Sequence, residues 1–128
     1  MIVDTSAIVA VFVGEAGHED VLRKLSQATI AGVGTPTLAE TGIVLAARLG
    51  RDPRPLLMRF LQESGIAPIP FGEAHWREAV EAYARFGRGR HRAGLNFGDC
   101  LSYATARLAG RPLLCVGDDF KKTDLALA

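Results

Sequence analysis

The sequence predicts an α/β fold, a three-layer α/β/α sandwich around a mainly parallel central sheet. Short apolar segments at residues 1–4, 29–34, 66–71 and 113–116 read as strands. Longer segments with helical periodicity separate them, often two at a time. Such alternation implies parallel strands, right-handed crossovers and helices on both faces. Isolated acids then stand at strand ends or helix starts: Asp4, Glu40, Asp99 and the Asp118–Asp119 pair. In open α/β sheets, ligands bind outside the carboxyl ends of the strands.

Each element has a local cause. Met1-Ile2-Val3 is a short buried strand closed by Asp4, and an apolar helix follows over 6–13 until Gly14. Residues 17–27 form a second helix, with Val21, Leu22 and Leu25 on one face. After the strand at 29–34, Thr35-Pro36 marks a helix start, since proline suits the first helical position. That helix runs to about Leu49 and stops at Gly50. Pro53 or Arg54 opens another, striped by Leu56, Leu57, Phe60 and Leu61 and ended by Gly65. Pro68 and Pro70 mark the strand at 66–71 as an edge. Residues 73–86 are helical, with Trp76, Ala79, Val80 and Tyr83 at helical spacing, as core or as a partner-facing stripe. A loop rich in glycine and arginine spans 87–95, a helix spans 97–108 up to Gly110, and a buried strand closes the series at 113–116.

The chain has 128 residues, which suits a single domain over 1–128 with one core. It is 48% hydrophobic and 23% charged, hence globular. With a net charge of +1, any basic footprint for nucleic acid must be local. Cys100 and Cys115 lie in apolar stretches and read as buried thiols of a reducing, cytoplasmic protein. The first apolar run, 2–13, lacks a basic leader and is broken by Asp4-Thr5-Ser6, so it is not read as a signal peptide. No run approaches the ~20 apolar residues of a membrane span, and no membrane partner is expected.

Taken singly, each acid could cap a helix. Asp4 could cap the helix near Ser6, and Thr37-Leu38-Ala39-Glu40 and Asn96-Phe97-Gly98-Asp99 both have capping-box form. Glu40 fits that reading least, because a helix begun at Thr35 puts it in the second turn among Leu38, Ala39, Ile43 and Val44. An unpaired charge there is costly, and a cation would relieve the cost. Acids gathered on one rim suit hard, oxygen-seeking cations, Mg²⁺ or Mn²⁺. Such a cation lowers the pKa of bound water and screens charge on a phosphoryl group. The expected ligands are Asp4, Glu40, Asp99 and Asp118 or Asp119. Thr5 and Ser6 could bond a ligating carboxylate or a bound water, and Asn96 could orient Asp99 or cap its helix.

Four blocks carry a resemblance. Ile2-Val3-Asp4-Thr5-Ser6-Ala7, Pro36-Thr37-Leu38-Ala39-Glu40, the run from Gly89 to Cys100, and Gly117-Asp118-Asp119-Phe120 with Thr123-Asp124 occur in the order found in PIN-domain ribonucleases. The chain most resembles the VapC toxins of bacterial toxin–antitoxin pairs. The resemblance implies an α/β/α PIN fold and Mg²⁺- or Mn²⁺-dependent endonuclease activity on RNA, leaving 5′-phosphate and 3′-hydroxyl ends. It implies a VapB-type antitoxin that blocks the site, and a homodimeric toxin within a larger complex. By position, Asp4, Glu40 and Asp99 are the acidic core. For the fourth acid, Asp118 follows the strand directly and is favoured slightly, while Asp119 precedes the phenylalanine as the family's late acid often does.

Arg88, Arg90 and Arg92 crowd the loop before Asp99, and planar guanidinium forks match phosphate oxygens, so they are expected to hold RNA. Two other classes compete. A haloacid-dehalogenase-type phosphohydrolase would explain Gly117-Asp118-Asp119 with Asp124, but it needs an acid two residues after Asp4, where Ser6 stands. A non-catalytic PIN-like interaction domain would fold and bind partners without cleaving.

Overall fold

Strand β1 (Ile2–Val3) is two residues long because Asp4 starts to cap helix α1 (Thr5–Val13) immediately after it. The computed structural model describes residues 1–128. Helix α2 (His18–Gln27), strand β2 (Ala31–Gly34), helices α3 (Thr35–Leu49) and α4 (Arg54–Ser64) and strand β3 (Ile66–Ile69) follow. Helices α5 (Glu73–Phe86) and α6 (Phe97–Ala109), strand β4 (Leu113–Leu114) and a 3₁₀ turn at Asp119–Lys122 complete the chain.

All strand pairs are parallel and the order is β3-β2-β1-β4. The chain moves outward from β1 to β3, then returns to the other side of β1, so the switch point lies at the end of β1, where Asp4 stands. Adjacent strand residues face opposite sides. Ile2 and Leu113 enter one core with Phe86, Leu95 and Tyr103 from the α5–α6 side. Val3 and Leu114 enter the other, with Ile8, Val21, Leu45 and Leu57 from α1 to α4. The result is the three-layer α/β/α sandwich that the alternation predicts.

The edge expected from the prolines is β3: Pro68, which has no N–H to give, sits opposite Val33. The strands are shorter than the apolar runs suggest. Strand β3 stops before Pro70, and β4 stops before Gly117, whose φ of 103° turns the chain. The sequence reading missed the C-terminal tail, which pairs parallel to β4 through Leu113 N–H to Ala126 O and Ala128 N–H to Leu113 O, both 2.9 Å. In α5, Ala79, Ala82 and Phe86 form the buried face, so Trp76, Val80 and Tyr83 are the outward stripe rather than core. Cys100 is buried and Cys115 half-buried, both unpaired, and burial pushes each thiol up to about 11. No helix is long and apolar enough to cross a membrane.

The tail is held by one carboxylate. Asp124 accepts from Tyr103 Oη at 2.6 Å and pairs with Arg85 at 3.1 Å and Arg107 at 3.3 Å. Burial, with that carboxylate beside it, pushes the Tyr103 phenol up to about 12. Tyr103→Phe is expected to cost about 2 kcal/mol, because a hydrogen bond to a charged acceptor is lost. Thermal melting should fall by about 7 °C, and limited proteolysis should reach the tail first.

Candidate active site

Asp4 is held from three directions. Its N–H donates to Leu114 O at 2.9 Å, which keeps it in the sheet. Its Oδ2 accepts from Ser6 N–H at 3.0 Å and Ser6 Oγ at 2.6 Å, so it does cap α1. Its Oδ1 accepts a short hydrogen bond from the buried Ser102 of α6. Ser6 Oγ in turn accepts from Val116 N–H at 3.0 Å, tying the end of β4 to the same carboxylate. Asp4 is only 5% exposed, yet no lysine or arginine pairs with it.

Glu40 lies in the second turn of α3, because Pro36 is in the first turn of a helix that begins at Thr35. Its Oε1 accepts from Thr5 Oγ1 at 2.7 Å. Thr41 supports that hydroxyl at 3.0 Å and also donates to Thr37 O at 2.8 Å. The carboxylate rests on Gly98, where any Cβ would overlap both of its oxygens. Asp99 closes a reciprocal capping box with Asn96: Asp99 N–H donates to Asn96 Oδ1 at 2.8 Å, and Asn96 N–H to Asp99 Oδ2 at 3.0 Å. The capping reading of Asn96 therefore holds, and it also fixes Asp99.

Asp4, Glu40 and Asp99 line one cavity of about 260 Å³ with Thr5, Ser6, Asn96, Val9, Val44 and Glu15. No basic residue is among them. A carboxylate offers about four lone-pair sites. Asp4 uses three, while Glu40 and Asp99 use one each. Each acid thus keeps acceptor capacity, and every available donor atom is a hard oxygen. The acids face one another across the cavity rather than meeting, and no three metal-binding side chains form a closed group as they stand.

Neither candidate for the fourth acid lines the cavity. Asp118 turns outward, 77% exposed, with its carboxylate on Lys121 Nζ at 2.6 Å, which holds its pKa low. The turn at Gly117 follows the strand end and precedes Asp118. Asp119 makes no ion pair, and its charge, with those of Asp4 and Glu40, bears on Asp99. Arg88, Arg90 and Arg92 are exposed and unpaired with any carboxylate, in a loop closed by Arg88 N–H to Leu95 O and Leu95 N–H to Phe86 O. None of them lines the cavity.

The sequence reading missed Ser102, Thr41 and Glu15. Ser102 and Thr41 had a signal: hydroxyls one turn after Asp99 and Thr37, on faces that are otherwise apolar. Glu15 had none, since it sits in a loop whose course only the fold reveals.

Burial, followed by the charges of Asp4, Asp119 and Glu40, raises the Asp99 carboxyl to about 6, against the opposing Asn96 bond. A carboxyl raised on folding binds more protons folded than unfolded, so its contribution to stability falls as pH rises. In chelator, the wild-type chain should lose stability between roughly pH 4 and pH 6 relative to Asp99→Asn. Melting curves of the two proteins across that window, with and without Mg²⁺, check this. Added cation should restore the wild type alone.

A family model for the PIN domain matches residues 1–125. Ribonuclease VapC36 of Mycobacterium tuberculosis is 48% identical over 126 residues, covering 98% of this chain and 91% of that protein. Ribonuclease VapC of Mycolicibacterium smegmatis is 38% identical over 126 residues, covering 98% of each. The crystal structure of Mycobacterium tuberculosis VapC20, described as a sarcin-ricin loop cleaving toxin, aligns with a TM-score of 0.80 at 20% identity, covering 99% of this chain and 97% of that one. A chain of a toxin–antitoxin complex from Klebsiella pneumoniae aligns at 0.72 with 16% identity, covering 99% and 95%. These two structures are similar in fold alone, whereas the sequence relatives extend the likeness to residues. The chain belongs to the PIN domain family and, within it, to the VapC group.

Proposed function

We propose that this protein is an endoribonuclease, the toxin of a toxin–antitoxin pair, and that Mg²⁺ or Mn²⁺ serves its hydrolysis of RNA phosphodiesters. One observation carries the reading: a buried, unpaired Asp4 shares a cavity free of bases with Glu40 and Asp99 at the switch point of a parallel sheet. The reading takes residues 1–128 as a single domain. The haloacid-dehalogenase alternative loses its footing, because Ser6 stands where a second acid is needed and spends its hydroxyl on Asp4.

The oxygen-only donor set fits a hard divalent cation, with Asp4, Glu40, Asp99 and Asp119 as its holders. When bound, the cation would acidify water and screen charge building on the phosphoryl oxygens. The chain's own residues do the rest. Ser6 and Ser102 keep Asp4 aimed, through two hydroxyl donors and one N–H. Thr5, backed by Thr41, orients Glu40, and Gly98 leaves room for it. Asn96 holds one oxygen of Asp99 and leaves the other free. No histidine or lysine lines the cavity, so water attacks in line without an imidazole base, and the resemblance to the family implies 5′-phosphate and 3′-hydroxyl ends. Arg88, Arg90 and Arg92 hold flanking phosphates as exposed, unpaired guanidinium groups.

Two apolar grooves flank α3 and suit two protein partners. One, of about 740 Å³, runs between α3 and α4 past Leu38, Ile43 and Met58. The other, of about 650 Å³, lies between α3, α5 and α6, with Ile43 72% and Phe97 80% exposed. Glu40 and Val44 belong to both the second groove and the acidic cavity. A second copy of the toxin covers that groove in a homodimer. A VapB-type antitoxin occupies the remaining apolar face and blocks access to the acids.

Asp4→Asn and Asp99→Asn are expected to abolish Mg²⁺- or Mn²⁺-dependent cleavage of a labelled RNA while both chains stay folded. Asp119→Asn should lose most activity and Asp118→Asn little. EDTA should silence the wild type. Cleavage at wild-type rate by Asp4→Asn, or by wild type in EDTA, contradicts the reading, whereas a folded wild type that cleaves no RNA with either cation favours a non-catalytic interaction domain.

A further inference from the structure

We propose that Arg48 and Glu15 form the mouth of the acidic cavity: Arg48 grips a phosphate beside the one being cut, and Glu15 holds Arg48 until RNA displaces it. The inference rests on the ribonuclease reading above and assigns it two further residues. Glu40, Val44 and Arg48 recur every four residues along α3, so they share one face. Glu40 and Val44 line the cavity. Arg48 continues the stripe, about 12 Å along the axis from Glu40. That offset suits a phosphate flanking the scissile one rather than the scissile phosphate itself.

Glu15 meets Arg48 from the other wall, its Oε1 at 3.6 Å from Arg48 Nη2. The backbone sets the position of Glu15. Helix α1 ends at Gly14, whose φ of 69° lies in the left-handed region, and Glu15 N–H then donates to Ala10 O at 3.0 Å. Glu15 O accepts from His18 N–H at 3.1 Å and from His18 Nδ1–H at 2.8 Å. The backbone of Glu15 is therefore held at a fixed point, while its side chain can still turn.

The pair has little to do with folding. It is long, and its side chains are 52% and 44% exposed, so solvent screens it. Its position matters more. Four carboxylates and no base line the cavity, and Arg48 is the only cation paired with any of them. An incoming polyanion meets repulsion from that wall. A guanidinium fork binds phosphate through two parallel bonds, better than it binds one distant carboxylate oxygen. Phosphate thus exchanges for Glu15, which turns to solvent.

The test measures binding of a fluorescein-labelled single-stranded RNA by anisotropy in an Asp4→Asn background, which does not cleave. Steady-state kinetics in the otherwise wild-type chain accompany it. Arg48→Ala should weaken binding about tenfold, the loss of one charged hydrogen-bonding contact, and flatten the salt slope by about 0.7. It should raise KM with kcat and melting unchanged. Glu15→Gln should tighten binding, and should do nothing once Arg48 is alanine. An unchanged affinity in Arg48→Ala overturns the inference and leaves the ribonuclease reading intact. So does Glu15→Gln tightening binding equally in both backgrounds, since Glu15 would then act by its own charge. A parent protein that binds no RNA overturns both.

Discussion

The burial of Asp4 without a cationic partner is the constraint on which this molecule turns. A carboxylate removed from water costs several kcal/mol unless hydrogen bonds or a counter-charge compensate. Here the protein supplies N–H and hydroxyl donors from α1 and α6 and no base. The same residue ends β1, caps α1 and stays bonded to β4. The sheet's switch point, the crossing of α6 over it and the acidity of the cavity therefore meet at one side chain. A mobile acid could not serve, because ligands must be held within a fraction of an ångström for a small cation.

Around Asp4, hydroxyls do the work that arginines do elsewhere in proteins. Ser6, Ser102, Thr5 and Thr41 orient the acids without neutralising them. An arginine in their place would give the carboxylates a counter-charge. All nine ion pairs of the chain lie on exposed or half-exposed side chains away from Asp4, Glu40 and Asp99. Positive charge is kept to the margin: the loop at 87–95, and Arg48 beside Glu15. That arrangement keeps the cationic groups apart from Asp4, Glu40 and Asp99.

Much of this was legible in the chain. The alternation of strand and helix signals gave the layer order, because buried parallel strands need apolar runs and crossovers need helices. Thr35-Pro36 located the start of α3 and so placed Glu40 in the second turn, where capping does not explain it. The rest depended on tertiary geometry. A left-handed glycine at 117 precedes Asp118, whose outward turn no periodicity reports. Phe97 stands 80% exposed at the start of α6, which its apolar character alone does not report. The pairing of residues 126–128 beside β4 is a long-range contact of a short segment with no strand signal of its own.

We propose that these acids hold a divalent cation between them. The most direct measurement is an anomalous difference map from crystals of the protein soaked in Mn²⁺. The account predicts density within the cavity, bound by carboxylate oxygens of Asp4 and Asp99 and approached by Glu40 and Asp119, with Asp118 still on Lys121. Density absent from the cavity at saturating Mn²⁺, or sited instead on Asp118, would contradict it.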